Sequence, residues 1–418
     1  MAPVFKIVPT TQQYDWGKIG RDSKVAQLAP SSVSIDETAP YAELWMGTHV
    51  KSPSTIQATS QPLSEALAAQ PELLGNSVAR KFQSGYGTDK GNLPFLFKVL
   101  SIHKALSIQT HPDEPTAREL HRTQGDIYKD PNHKPEMALA LTPFLALCGF
   151  MPLSDIATNI ASTPEVASLI PPTTLSAFQA IASSSTPSGP TEKQALKDVF
   201  SAVMTATDSI VQDQLGKLVA RYKARDLNPG ERPEIVDLVL RLDSQFPGDI
   251  GIFCAFLLNQ IKLQPGEAIF LGAGEPHAYI EGDIMECMAN SDNVIRAGLT
   301  PKLRDIPNLV SGLTYEAASP ERHFVEPTPF GSSSASTLYD PPVPEFSVVQ
   351  LALGGGKSES HRAFGGPSIA IATEGNGSVR WDGGKEDIKA GDVIFIGAGT
   401  EVNFDAVQDL VVYRAFAE

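Results

Sequence analysis

Along the first third of the chain, short apolar segments alternate with breakers. Pro94-Phe-Leu-Phe-Lys-Val-Leu100 and Ala138-Leu-Ala-Leu141 are bounded by Gly, Pro and Asn, a texture that predicts β-strands up to about Phe150. The pattern then changes. From Pro152 to about Ser244, the segments Glu192 to Asp208 and Gln212 to Ala224 carry apolar residues at spacings of three and four, which predicts a helical insertion. Inside it, Ser183-Ser-Ser-Thr-Pro-Ser-Gly-Pro190 has no period and several breakers, and reads as an exposed loop. Strand-type patterning returns from Phe246 onward. A second polar stretch, Gly331-Ser-Ser-Ser-Ala-Ser336, precedes Pro341-Pro-Val-Pro344 and marks an expected crossing between domains.

The chain also repeats itself. Gly266-Glu-Ala-Ile-Phe-Leu-Gly-Ala-Gly274 returns as Gly391-Asp-Val-Ile-Phe-Ile-Gly-Ala-Gly399, with six identities in nine positions. Each copy has a Gly-acidic turn, an apolar strand and a Gly-Ala-Gly turn, which predicts two related antiparallel β-barrels. Three residues beyond the repeat, the first copy has His277 and the second has Val402. One barrel thus keeps a potential ligand that the other has lost.

The 418 residues exceed what one hydrophobic core organises, and 42% hydrophobic with 19% charged residues is ordinary globular composition. The formal charge of −15 disfavours a general nucleic-acid binder. No apolar run approaches the roughly 20 residues of a membrane helix. The opening Met1-Ala-Pro-Val-Phe-Lys6 has no features of a secretory signal, and Cys148, Cys254 and Cys287 form neither CxxC pairs nor an even set. The expectation is a cytoplasmic protein with reduced thiols and no disulfide framework.

Gln109 and His111, in Leu106-Ser-Ile-Gln-Thr-His111, are two residues apart, so on a strand both face the same side. Glu136 closes Asn132-His-Lys-Pro-Glu136, and His277 follows the first repeat copy. Taken singly, His277 is a turn histidine and Gln109 a polar strand residue. Together with Glu136 and His111 they form an N/O donor set suited to zinc, and also compatible with manganese, cobalt or iron.

These segments add up to a resemblance. The chain resembles the type I phosphomannose isomerases, of the cupin class, through Tyr14-Asp-Trp-Gly17, Ala42-Glu-Leu-Trp-Met-Gly-Thr-His49, Pro94-Phe-Leu-Phe-Lys98, the Gln109 and Glu136 segments, and the long run from Glu286 to Lys302. The resemblance implies a mainly β fold with a helical insertion, built as two cupin-type double-stranded β-helix (jelly-roll) barrels plus an α-helical domain. The expected divisions are 1–151 and 245–325 for the catalytic barrel, 152–244 for the insertion, and 326–418 for a C-terminal barrel without a metal site.

It also implies one zinc per chain on Gln109, His111, Glu136 and His277, and a catalytic arginine at Arg296. The implied reaction interconverts mannose 6-phosphate and fructose 6-phosphate by proton transfer through an enediol, feeding GDP-mannose synthesis. The implied partner is a hexose 6-phosphate, with neither nucleic acid nor membrane, and the chain is expected to be a monomer. Arg296 suits enediolate stabilisation or a bidentate clamp on phosphate. Lys134, two residues before a ligand, is a further catalytic candidate, and it, Lys98 and Lys302 are candidates for substrate oxygens or phosphate. For the proton, Asp292, His133 and Glu286 all have suitable chemistry, with Asp292 and His133 placed first. Trp16, Glu43 and Ser107 are expected to line the pocket. Two rival readings remain at this level: a cupin metal oxygenase, which leaves Gln109 unexplained, and a non-catalytic sugar-phosphate-binding protein, which leaves Arg296 and its acidic neighbours unexplained.

Overall fold

The computed structural model describes residues 2–331 and 334–418, so Ser332 and Ser333 of the predicted crossing lie outside the described residues. The fold is mainly β with a helical insertion. The first β-unit is a ten-stranded sheet organised around one long strand, His277–Ala289. The His277 to Glu281 half pairs with Phe144–Phe150, and the half from Gly282 onward pairs with Phe95–Ile102. Gly282 marks the change of partner. Its φ of +114° lies in the region that favours glycine, and a Cβ there would meet the Pro143 carbonyl oxygen at 2.6 Å. One strand can therefore serve both faces of the unit.

The insertion comprises Leu153–Ser162, Pro164–Ala167, Pro172–Ile181, Pro190–Met204, Asp208–Lys223 and Pro233–Gln245. Four of these begin with Pro in the first helical turn, where the missing N–H costs no intrahelical bond. The period predicted from Glu192 to Asp208 is cut at Met204, because Thr205-Ala-Thr207 separates two helices. Leu196, Phe200, Leu215, Leu218 and Val239 face a core shared with Phe150 and Ile252, which roots the insertion in the first β-unit. The Ser183 to Gly189 stretch is an irregular, largely exposed connection.

The C-terminal β-unit has an eight-stranded and a four-stranded sheet closing on Leu351, Val379, Ile394, Phe404 and Val412. Its eight-stranded sheet includes the beginning of the chain. Val4–Val8 pairs with Val393–Ile396 on one side and Thr55–Ile56 on the other, so these N-terminal strands join the C-terminal unit although 1–151 was expected to serve the catalytic barrel alone. All three cysteines are free and buried. Among the described residues, no helix is long and apolar enough to cross a membrane.

Candidate metal centre and active-site cavity

The short strand Ile108–Thr110 places Gln109 between two functional neighbours. In register, Gln109 is opposite His277 on one side and Arg296 on the other. His111 follows at the strand end, and Glu136 opens the strand Glu136–Ala140. His111, Glu136 and His277 are all buried, with one ligand atom from each lying within 4.8 Å of the others.

Hydrogen bonding fixes how the two imidazoles present themselves. His111 Nδ1 is 2.7 Å from the Asn293 carbonyl oxygen and His277 Nδ1 is 2.9 Å from that of Glu275. A carbonyl only accepts, so each Nδ1 carries the hydrogen and each Nε2 turns its lone pair inward. Both Nε2 atoms are buried without a hydrogen-bond partner, 3.3 and 3.5 Å from the two oxygens of Glu136. Burial holds the His111 imidazole down to about 4, so it is neutral at pH 7, as a metal ligand must be. Burial opposes the Glu136 charge, but Lys134 and His111 outweigh it and keep the carboxyl well below the usual range. Two orphaned imidazole nitrogens around an ionised carboxylate fit a divalent cation such as zinc.

Beside this centre opens a cavity of about 640 Å³, lined by Gln109, Glu136, Lys134, Glu286, Lys98 and Arg296 among others. Lys98 donates to Glu286 at 3.0 Å, lies 3.6 Å from Glu43 and stands 4.9 Å over the Trp45 ring. Burial disfavours the Lys98 ammonium, yet Glu286, Glu43 and Glu136 together hold it above its ordinary range. Burial also raises Glu286, against the pull of Lys98, which makes it a carboxyl able to hold and release a proton. Arg296 is half-buried and lowered by burial, and among the described residues it has no carboxylate partner.

Three family models match parts of the chain in order: phosphomannose isomerase type I catalytic domain over residues 4–153, helical insertion domain over 169–258, and C-terminal over 336–383. The mannose-6-phosphate isomerase of Cryptococcus neoformans var. neoformans serotype D is 50% identical, with 100% of each chain covered. The chain belongs to the type I phosphomannose isomerases. The Saccharomyces cerevisiae mannose-6-phosphate isomerase is 44% identical over 99% of each chain. Among solved structures, the apo mannose 6-phosphate isomerase of Salmonella typhimurium is 32% identical with a TM-score of 0.82, covering 100% of both chains. A zinc-bound mannose 6-phosphate isomerase matches with the same identity, TM-score and coverage.

Within this phosphomannose isomerase, the structure brings most of the expected residues together. Trp16, Glu43, Lys98, Ser107, Lys134, Glu286, Arg296 and Lys302 all line the cavity, with Lys302 exposed at its rim. Asp292 and His133 do not. The Asp292 carboxylate accepts from Lys51 Nζ at 2.9 Å and lies 3.5 Å from His49 Nε2, outside the cavity. His133 Nε2 donates to Glu345 Oε1 at 2.7 Å. Lys134 and Glu136 share one face of an extended segment, and alternation turns His133, the neighbour of Lys134, the other way. Of the three residues expected to carry the proton, only Glu286 lines the cavity. Tyr279 and Lys104 were missed, and both line the cavity. Tyr279 was reachable from the sequence, since it lies two residues after His277 on one strand; its hydroxyl is 3.5 Å from Glu136 Oε2. Lys104 gave no local signal.

Proposed function

We propose that this chain is a zinc-dependent aldose–ketose isomerase interconverting mannose 6-phosphate and fructose 6-phosphate. The observation that carries this reading is the pair of inward-facing, unpartnered Nε2 atoms beside Glu136, next to a cavity with an unpaired arginine. Its full-length relatives are mannose-6-phosphate isomerases, and a zinc-bound structure of that name shares the fold over the whole chain. Zinc held by His111, Glu136 and His277, with Gln109 as a fourth donor, supplies a Lewis acid for the sugar oxygens.

The chain's own groups divide the remaining work. The isomerisation removes the C2 proton of the aldose and returns it to C1, while a hydroxyl proton moves from O2 to O1. Glu286 carries the carbon-bound proton, because it is buried, raised and hydrogen-bonded to Lys98. Arg296, beside Gln109 in register, stabilises the enediolate. Lys302, exposed at the rim, meets the phosphate, and Lys134 keeps Glu136 ionised. We also read the two β-units as related barrels with divisions near 152, 244 and 326, the strands Val4–Val8 and Thr55–Ile56 belonging to the second. The same reading makes the protein a cytoplasmic monomer supplying GDP-mannose synthesis.

The purified, zinc-loaded protein given mannose 6-phosphate should form fructose 6-phosphate equally with and without oxygen. Chelation should abolish turnover and zinc should restore it. Absence of isomerisation by the zinc-loaded chain would overturn the proposal.

A further inference from the structure

The two β-units share one pairing register, so their positions can be equated residue by residue. In the first, Glu136 pairs with Leu271 on one side and Met288 on the other. In the second, Ser368 pairs with Ile396 and Phe416. The repeated segment independently equates Leu271 with Ile396, so Ser368 occupies the place of Glu136. Two residues back from Met288 and Phe416, Arg414 occupies the place of Glu286. His277 lies opposite Gln109 and Val402 lies opposite His361, which puts His361 in the place of Gln109. Lys98, opposite Glu286, corresponds to Val349, opposite Arg414.

The vestigial centre has therefore changed sign. Both acids are gone, an arginine has replaced one of them, and the cation that faced that acid has become valine. Arg414 is 1% exposed. Its Nε donates to Ser368 Oγ at 2.9 Å and its guanidinium lies 4.2 Å from the Phe364 ring centroid, but Nη1 is buried without a partner. Glu418 favours the Arg414 charge, but it is shared with Arg362, to which it is paired at 2.7 and 2.9 Å, and Arg362 opposes that charge more strongly, so two cations share one carboxylate. His361, fully buried, has Nε2 3.0 Å from Ser336 Oγ and Nδ1 without a partner. When Ser336 donates to Nε2, the hydrogen is on Nδ1, which becomes a second free donor. Burial lowers Arg414 to about 9, which still leaves it a cation at pH 7. A water molecule could fill a hydrogen-bond vacancy but would leave that buried charge unbalanced.

We propose that the C-terminal β-unit encloses a site for a small monovalent inorganic anion, held by Arg414 Nη1 and the Nδ1–H of His361, the residues in the places of Glu286 and Gln109 of the first unit. The surrounding Phe330, Val349, Phe364 and Phe416 are buried and apolar, and two donors are too few for a multivalent ion, so the ligand class is halide-like. This inference does not depend on the isomerase reading.

Chloride is the probe. Melting curves of the zinc-loaded full-length protein are compared as sodium chloride replaces sodium gluconate at constant ionic strength. The expected result is a saturable rise in Tm on the order of 1–5 °C, lost in Arg414→Met. Because that variant could fail to fold, crystals of the unmodified protein soaked in bromide give a second measurement, with an anomalous peak expected beside Arg414 Nη1. Identical melting in both salts, or a chloride effect with no bromide peak at Arg414, would overturn the proposal.

Discussion

His277 lies directly opposite Gln109 in the antiparallel ladder, while its repeat counterpart Val402 lies opposite His361. The same strand pairing thus builds two donors in one unit and only one in the other. Zinc analysis of dialysed protein should give close to one equivalent per chain, and His277→Ala should bring it towards zero. A tightly held equivalent surviving that substitution would place the metal elsewhere.

Arg296→Lys keeps the charge but removes the planar fork. If the guanidinium stabilises the enediolate, kcat should fall on the order of 10²-fold. Steady-state kinetics separate the alternatives, since a rise in KM alone would assign Arg296 to ground-state phosphate binding.

Asp130 should tune the metal without touching it. Its carboxylate accepts from Ser291 Oγ at 2.8 Å, Asp292 N at 2.8 Å and Asn132 N at 3.0 Å, tying the Glu136 loop to the turn whose Asn293 carbonyl orients His111. Asp130→Asn should favour zinc transfer from the holoenzyme to a chromophoric chelator by roughly 10–100-fold at equilibrium, the usual loss of affinity on loosening a ligand's support. Glu231→Gln, which loosens an ion-pair hub in the helical insertion, should lower Tm and leave zinc transfer unchanged.

His133 should tie stability to pH. Burial opposes its charge, but Glu345 outweighs burial and raises the imidazole above its ordinary 6.5. The stabilisation is then complete below about pH 6.5 and is lost as pH rises through the elevated folded-state value. Wild type should melt above His133→Gln by roughly 1–4 °C at pH 6, and the gap should close by about pH 9. A gap independent of pH would mean that the imidazole charge contributes nothing.

Much of the site was legible in the sequence because its determinants are local. The two-residue spacing of Gln109 and His111, the Glu136 segment and the repeat that isolates His277 each fix which side chains share a face, whatever surrounds them. The helical insertion was legible for the same reason, its three- and four-residue period being a property of a single segment. What only the tertiary structure decided was pairing between segments far apart in the chain. Alternation puts His133 and Lys134 on opposite faces, but only the packing of Glu345 on one side and the cavity on the other shows which face is catalytic. Likewise, nothing local to Val4–Val8 sends it to Val393–Ile396, and nothing local to Arg414 sets it in the place of Glu286. Side-chain periodicity is written in each strand, whereas register is set by the competition among strands for one shared core.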